Sequence, residues 1–423
     1  MNVNRRRTTP FTVAALSAVL TLAVAGCGSS TGTDETGAAT SADSAAVFGA
    51  PNAASGDPVT IGFISDGKGD KLDNTDEIKG ARAAAAYAND YLGGLAGRRI
   101  EVKVCEVRQN PAAATDCANQ MVTAGVSAVM EGALAEVDQT ISVLAPAGIP
   151  LLVHSSATEA VQKTPGVFSL YNGLAYYGVP ASDARDQGVH KAALIGIAVP
   201  GVEGPARTTG TLLYKNAGIV LDITAIAPGT ADMTPQITAA GSDKPQLYHI
   251  FGNDSFCTSA MKAIKTVDPT AAVTMIDTCI SPTSGKSIPG GYEGAHVVTT
   301  ADLDTSTHDA KLFRAVLGKY GDHAAVRANS AFGYSPMLAT VTALNAGKIT
   351  DFSPAGVLSA IKAAPATEYP MAMGAKFQCD GKQMGLSPNM CGSSGLIATA
   401  NKDGVLSDYK LIPSDPKLYS NSG

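Results

Sequence analysis

Seven cysteines and six histidines are the residues of this 423-residue chain best suited to bond formation, and their spacing decides what they can do. Cys105 and Cys117, Cys257 and Cys279, and Cys379 and Cys391 fall into close sequence pairs, with Cys27 left over near the N-terminus. Zinc sites draw ligands from C-x2-4-C pairs, and none occurs here, so disulfides are the expected use of the six. Sequence alone leaves their connectivity open. Nearest-neighbour pairing would close short loops, each contributing about 2–4 kcal/mol when unstrained. The histidines show no H-E-x-x-H or similar spacing, so no metal is expected. His154-Ser155 has the types of a base and a nucleophile, but adjacent residues on a strand point to opposite faces. No G-x-S-x-G elbow is present, and Gly67-Lys68-Gly69 lacks the rest of a phosphate-binding loop. Neither a catalytic residue nor a cofactor is therefore expected.

The N-terminus has a different chemistry. Arg5, Arg6 and Arg7 precede the short apolar run Phe11 to Ala25, the pattern of an export signal. The run ends Val24-Ala25-Gly26-Cys27, small residues directly before a cysteine, which resembles a bacterial lipobox. In that reading residues 1–26 are removed and the Cys27 sulfur is acylated; the alternative is a plain signal peptide with an incidental cysteine. Residues 27–57, mostly Gly, Ser, Thr, Ala and Asp, read as a flexible tether. An even cysteine count in an exported chain agrees with disulfides. No lysine cluster follows that would hold anionic lipid, so membrane attachment would rest on acyl chains alone.

The body that must position any site is globular in balance: 45% hydrophobic, 16% charged, net charge −6. That charge gives no basic surface for a nucleic acid backbone. Val59 to Ser65 reads as a buried strand, followed by an alanine-rich helix through Ile78 to Tyr91. Strands at 100–105, 127–130 and 149–153 then alternate with helices at 111–124 and 137–147. A second series has strands near 192–197, 220–226, 247–251 and 273–276, with helices near 205–215, 233–240 and 255–266. Such alternation means crossover helices and parallel sheets, and two series imply two Rossmann-like lobes. Helices at 309–320, 330–346 and 354–363 follow. The tail carries a strand–turn–strand, Leu396 to Thr399, Asp403-Gly404, and Val405 to Leu411.

Several stretches of this body resemble a known family in order and spacing. Asn89-Asp90-Tyr91-Leu92-Gly93-Gly94-Leu95-Ala96-Gly97-Arg98-Arg99-Ile100-Glu101-Val102 resembles the "IN-x-x-GG-I-x-GR-K-I-E" turn of type I periplasmic binding proteins. Within that fold it looks like the branched-chain amino acid binding proteins of ABC importers. Asn110-Pro111-Ala112 with Ala118-Asn119-Gln120-Met121-Val122 is similar to their "DP-x-x-A…A-x-x-LV". Pro146 to Pro150 followed by Ser155-Ser156-Ala157-Thr158 is similar to "AGIP-x-x-SP-x-AT". The late hairpin matches the closing "F-x-x-DG" segment. The resemblance spans residues 58 to about 412.

It implies an α/β fold of two lobes hinged by three crossovers, residues 58–175 and 301–370 forming one and 176–300 and 371–423 the other. It further implies a monomeric receptor that closes over a small solute and hands it to a permease driven by ATP-binding subunits. Parallel sheets bind ligands beyond the carboxyl ends of their strands, which indicates the same cleft independently. By resemblance, Ser155, Ser156, Ala157 and Thr158 hold the solute's carboxylate and ammonium; an ordinary helix cap is the other reading of Thr158. Elsewhere the pattern departs. Ala135-Glu136 replaces a serine, Val202 stands before Glu203 where a tyrosine is common, and Asn253-Asp254 follows Gly252. Asp277 lies near the family's ammonium-binding acid. The loop after the first strand carries Asp66, Lys68, Asp70, Lys71, Asp73, Asp76 and Glu77, either a solvated face or polar contacts to a donor-rich ligand. Carboxylates at Asp66, Glu136, Glu203, Asp254 and Asp277 would favour an ammonium or hydroxyl-bearing solute, with Lys68 or Arg207 as basic partner. Tyr171, Tyr176, Phe332 and Tyr334 could serve pocket or core. A sensory binding protein without a transporter and a secreted hydrolase are the competing functions.

Overall fold

A computed structural model describes residues 47–69, 73–281 and 283–421. Cys27, the export signal, and Asp70 and Lys71 of the charged loop lie outside the described residues.

Five strands build the first sheet: β1 (Gly56–Ser65), β2 (Arg98–Glu106), β3 (Ala128–Glu131), β4 (Leu151–Val153) and β5 (Val167–Ser169). They are parallel in the order β2-β1-β3-β4-β5. The crossovers are α1 (Thr75–Tyr91), α2 (Pro111–Ala124), α3 (Val137–Leu144) and α4 (Glu159–Lys163). α2 starts cleanly, because Asn110 accepts from the amides of Ala112 and Ala113 and proline occupies its first turn. β5 escapes the sequence reading, being only three residues long.

The chain then passes through α5 (Ala175–Asp186) into the second sheet. β6 (Lys191–Ile197) is followed by α6 (Pro200–Pro205), which runs through a π turn at Ala206–Gly210 into α7 (Thr211–Asn216). This helix begins five residues before the expected start at 205, because Pro200 sits at its first turn. β7 (Val220–Ile226), α8 (Thr234–Gly241), β8 (Leu247–Phe251), α9 (Asp254–Val267), β9 (Ala272–Ile276) and β10 (His296–Thr299) complete the series. Three helices return to the first lobe: α10 (His308–Tyr320), α11 (Ala328–Ala346) and α12 (Pro354–Ala363). The two-residue strands β11 (Thr367–Glu368) and β12 (Lys376–Phe377) pair with each other. The hairpin of β13 (Ser394–Ala400) and β14 (Leu406–Pro413) closes the second sheet, in the order β14-β13-β10-β9-β8-β6-β7. β13 runs antiparallel to both β10 and β14. The expected fold is therefore present: two lobes of α/β with parallel sheets, joined where the chain crosses after β5, after β10 and before β13.

Alanine lets α1 and α11 approach closely. A Cβ on Gly80 would collide with the Ser330 carbonyl, and one on Gly333 with that of Glu77. Ala81, Ala84 and Ala88 are fully buried in the same core as Tyr334, Met337 and Phe313. Two boundaries differ from expectation. Within the expected tether, Phe48 is buried against Tyr87 and Tyr91, and Asn52 and Ala54 donate to the carbonyls of Asp90 and Asn89. Residues 371–392 pack on the first lobe, where Cys391 donates to the Ser169 carbonyl and Ser169 to that of Asn389. The chain returns to the second sheet at Ser394 rather than 371.

Disulfides join Cys105 to Cys117, Cys257 to Cys279 and Cys379 to Cys391, the nearest-neighbour pairing. Among the described residues, no helix is long and apolar enough to cross a membrane.

Candidate ligand-binding cleft

Parallel strands deliver their following loops to one edge of each sheet, and the two edges face each other across a cavity of about 460 Å³. Asp66 after β1, Glu131 to Ala135 after β3, and Ser155 to Thr158 after β4 line it from the first lobe. Val199, Gly201 and Val202 after β6, Phe251 to Asp254 after β8, and Thr278 after β9 line it from the second. The lobes come close at the rim, where a Cβ on Gly201 would lie 3.3 Å from the Ala135 carbonyl oxygen.

Nine of the expected site residues are brought to this cavity: Ser155, Ser156, Ala157, Thr158, Ala135, Asp66, Val202, Asn253 and Asp254. Their free hydrogen-bonding groups are fewer than the roster suggests. Thr158 caps α4, accepting from the Val161 amide at 3.3 Å, and donates to Asp138 Oδ1 at 2.8 Å. Ser156 Oγ accepts from the Thr158 amide at 3.4 Å, and the Ser156 amide donates to Ser169 Oγ at 3.2 Å. Asn253 Oδ1 caps α9, accepting from the Phe256 amide at 3.0 Å. Ser155 Oγ alone of this seryl stretch is buried without a partner.

Glu136, Glu203 and Asp277 are not among the lining residues. Glu203 is ion-paired on the surface at 2.9 Å with Arg207, four residues on in the π turn that follows α6, and neither lines the cleft. Asp277 sits behind the wall. It accepts from Thr299 Oγ1 at 3.1 Å, the Thr300 amide at 3.2 Å and Tyr176 Oη at 3.4 Å. Burial pushes its carboxyl up to about 6 despite these donors. Its action is therefore on Tyr176, whose ring does line the cleft. Lys68 pairs with Asp73 at 3.7 Å and is largely exposed, so part of the charged loop is a solvated face.

The apolar surface comes from Tyr176, Tyr177, Phe251 and Phe332. Tyr177 stacks on Phe251 with centroids 5.4 Å apart, and its hydroxyl donates to the Val202 carbonyl at 3.2 Å. Tyr171 and Tyr334 are core residues. Arg327 and Asn329 at the start of α11, and Asn74 before α1, also reach the cavity and were not anticipated. Arg327 is paired with Asp76 at 2.9 Å, and Asn329 Nδ2 donates to Asn74 Oδ1 at 3.1 Å.

His154 serves the hinge. Its Nδ1 lies 2.6 Å from Tyr369 Oη and its Nε2 2.9 Å from Thr300 Oγ1, at the crossover after β10. Burial holds its pKa down at about 3, so the ring is neutral. With both nitrogens engaged there, it does not serve as a base for Ser155.

The sequence over residues 58–387 matches the periplasmic binding protein family. The chain belongs to that family. Solved structures agree on the fold. The Streptococcus pneumoniae branched-chain amino acid transporter substrate binding protein, in complex with isoleucine, superposes with a TM-score of 0.66 at 16% identity, covering 84% of this chain and 99% of that one. An ABC transporter solute binding protein from R. palustris, in complex with 4-hydroxybenzoate, gives 0.67 at 16% identity over 85% and 96%. A fatty acid ABC transporter substrate-binding protein from Thermomonospora curvata gives 0.71 at 15% identity over 86% and 95%. No curated protein sequence matches the chain. The expected type I periplasmic binding fold is thus borne out, and this periplasmic binding protein places its cavity between its two lobes.

Proposed function

We propose that this periplasmic binding protein is the extracytoplasmic receptor of an ABC importer, tethered to the outer face of the bacterial membrane through acylated Cys27. It captures a small polar solute, an amino acid or related compound, and presents it to a permease powered by ATP-binding subunits. The observation that carries the reading is a cleft walled by both sheets' carboxyl edges and bridged by three crossovers. Solute entering the open form meets the first-lobe stretch Ser155 to Thr158 and the buried Ser155 hydroxyl. Asn253 and Asp254, at the N-terminus of α9, come from the opposite wall, and hinge closure then excludes water. The chain acts as a monomer and turns nothing over, needing neither cofactor nor metal.

Thermal unfolding with a panel of amino acids, amines, and hydroxylated and aromatic acids tests this. A true solute at about 100 times its dissociation constant adds about 2.7 kcal/mol. Absence of any stabilising compound across the panel would contradict the solute class.

A further inference from the structure

Resting on the receptor reading above, we propose that the first-lobe wall of the cleft at Asp66 and Glu131, with Glu136 just behind it, takes a cationic nitrogen of the solute, an ammonium or amidinium. β1 and β3 are neighbours, and Glu131 stands opposite Ile64. Asp66, two residues beyond Ile64, emerges on the same face, and Glu136 immediately precedes α3.

The decisive side chain is Glu131. It lines the cavity with 0% exposure, and neither carboxyl oxygen has a hydrogen-bond partner among the described residues. The neighbouring Thr140 hydroxyl donates instead to the Val137 carbonyl at 2.8 Å. Glu136 Oε2 is likewise buried and unpartnered.

The adjacent acids are differently served. Glu77 accepts from Ser65 Oγ at 2.7 Å and the Ala133 amide at 3.0 Å, and Asp138 accepts from Thr158. Asp66 Oδ1 accepts from the Gln109 amide at 3.1 Å, so the carboxylates left wanting are Glu131, on the cleft, and Glu136, next to it. Among the described residues no basic side chain compensates them, for Lys68, Arg108 and Arg327 are paired with Asp73, Glu106 and Asp76. The charges acting on Glu131 are those of Asp66, Glu77 and Asp138, all acidic. Burial lifts Asp66 to about 6, and burial together with repulsion from the neighbouring acids lifts Glu136 to about 7 and Glu131 to about 8. A cation entering the cleft would replace both the missing donors and the missing charge. Recognition of positive charge thereby falls to the first lobe, since Asp277 in the second is spent behind Tyr176.

Calorimetric titration of the full chain with 1,4-diaminobutane, agmatine and L-lysine, beside 1,4-butanediol and L-norleucine as uncharged-end counterparts, tests the assignment. At least one amine binds ten-fold or more tightly than its counterpart. Glu131→Gln and Asp66→Asn each erase most of that ratio, whereas Glu203→Gln, on the surface with Arg207, keeps it. Thermal unfolding of each variant confirms folding, and either first-lobe variant alone suffices. Equal affinity for amine and counterpart, or an unchanged ratio in Glu131→Gln, overturns the proposal. If the broader panel instead yields an uncharged or anionic solute while no amine binds, this assignment falls and the receptor reading stands. If nothing binds at all, both fall.

Discussion

The Thr158 hydroxyl donates to Asp138 Oδ1 at 2.8 Å while accepting the Val161 amide at 3.3 Å, so one side chain both caps α4 and ties it to α3. Its position on the cleft wall is thus joined to a structural duty. Thr158→Ala removes the cap and should lower stability by about 1 kcal/mol, with Thr158→Ser retaining most of it. Chemical denaturation checks this; an unchanged midpoint for Thr158→Ala would show the cap to be idle.

The hinge gives a second expectation. His154→Leu leaves the hydroxyls of Tyr369 and Thr300 without their ring partners. A buried donor or acceptor left unpaired costs about 1–3 kcal/mol, and Tyr369→Phe should cost less because it leaves only one ring nitrogen unpaired. Urea unfolding of the two variants should rank them in that order. Equal stability of all three proteins would remove His154 from the hinge.

How far the sequence discloses this protein depends on distance along the chain. Apolar runs such as Val59 to Ser65 and the alanine face of α1 announce strands and close helix packing, because period and composition are local. The Ser155 stretch follows its strand into the cleft for the same reason. Arg327, Asn329 and Phe332 arrive from a helix far downstream, and only the packing of α11 on α1 brings them to the cavity. Glu203 and Asp277 have the right type after the right strands, yet an Arg207 one turn away claims the first. Tyr176, contributed by the crossover helix, screens the second. Phe48 hides in a polar segment as a lone aromatic, and its burial follows from the Tyr87–Tyr91 surface awaiting it.

Acid residues should make stability depend on pH in a particular sense. Glu131 titrates near its ordinary 4.5 when unfolded and near about 8 when folded, so the native state binds more protons between these values. Stabilisation from this group is full below the unfolded pKa and is lost as pH rises through the folded one. Glu131→Gln should therefore gain melting temperature relative to wild type as pH goes from 5 to 8, by about 2 °C or more. A constant difference across that range would mean that Glu131 titrates alike in both states.

The Cys257–Cys279 bridge ties α9, whose N-terminus carries Asn253 and Asp254 into the cleft, to the turn after β9. Replacing both cysteines by serine should cost about 2–4 kcal/mol, read as a lower denaturation midpoint. Peptide mapping without reduction should return all three pairs. A retained midpoint in the serine variant would show this bridge to be dispensable.

Solute capture between the lobes is tested most directly by native mass spectrometry of wild type and Gly201→Trp, compared at equal exposure to a solute that stabilises the wild type. Gly201 faces the Ala135 carbonyl across the rim, so an indole there holds the lobes apart without entering either core. The account predicts a single solute molecule per wild-type chain, released on unfolding, and none on the variant, with both proteins equally folded. Undiminished solute on Gly201→Trp would place binding outside the cleft and contradict the account.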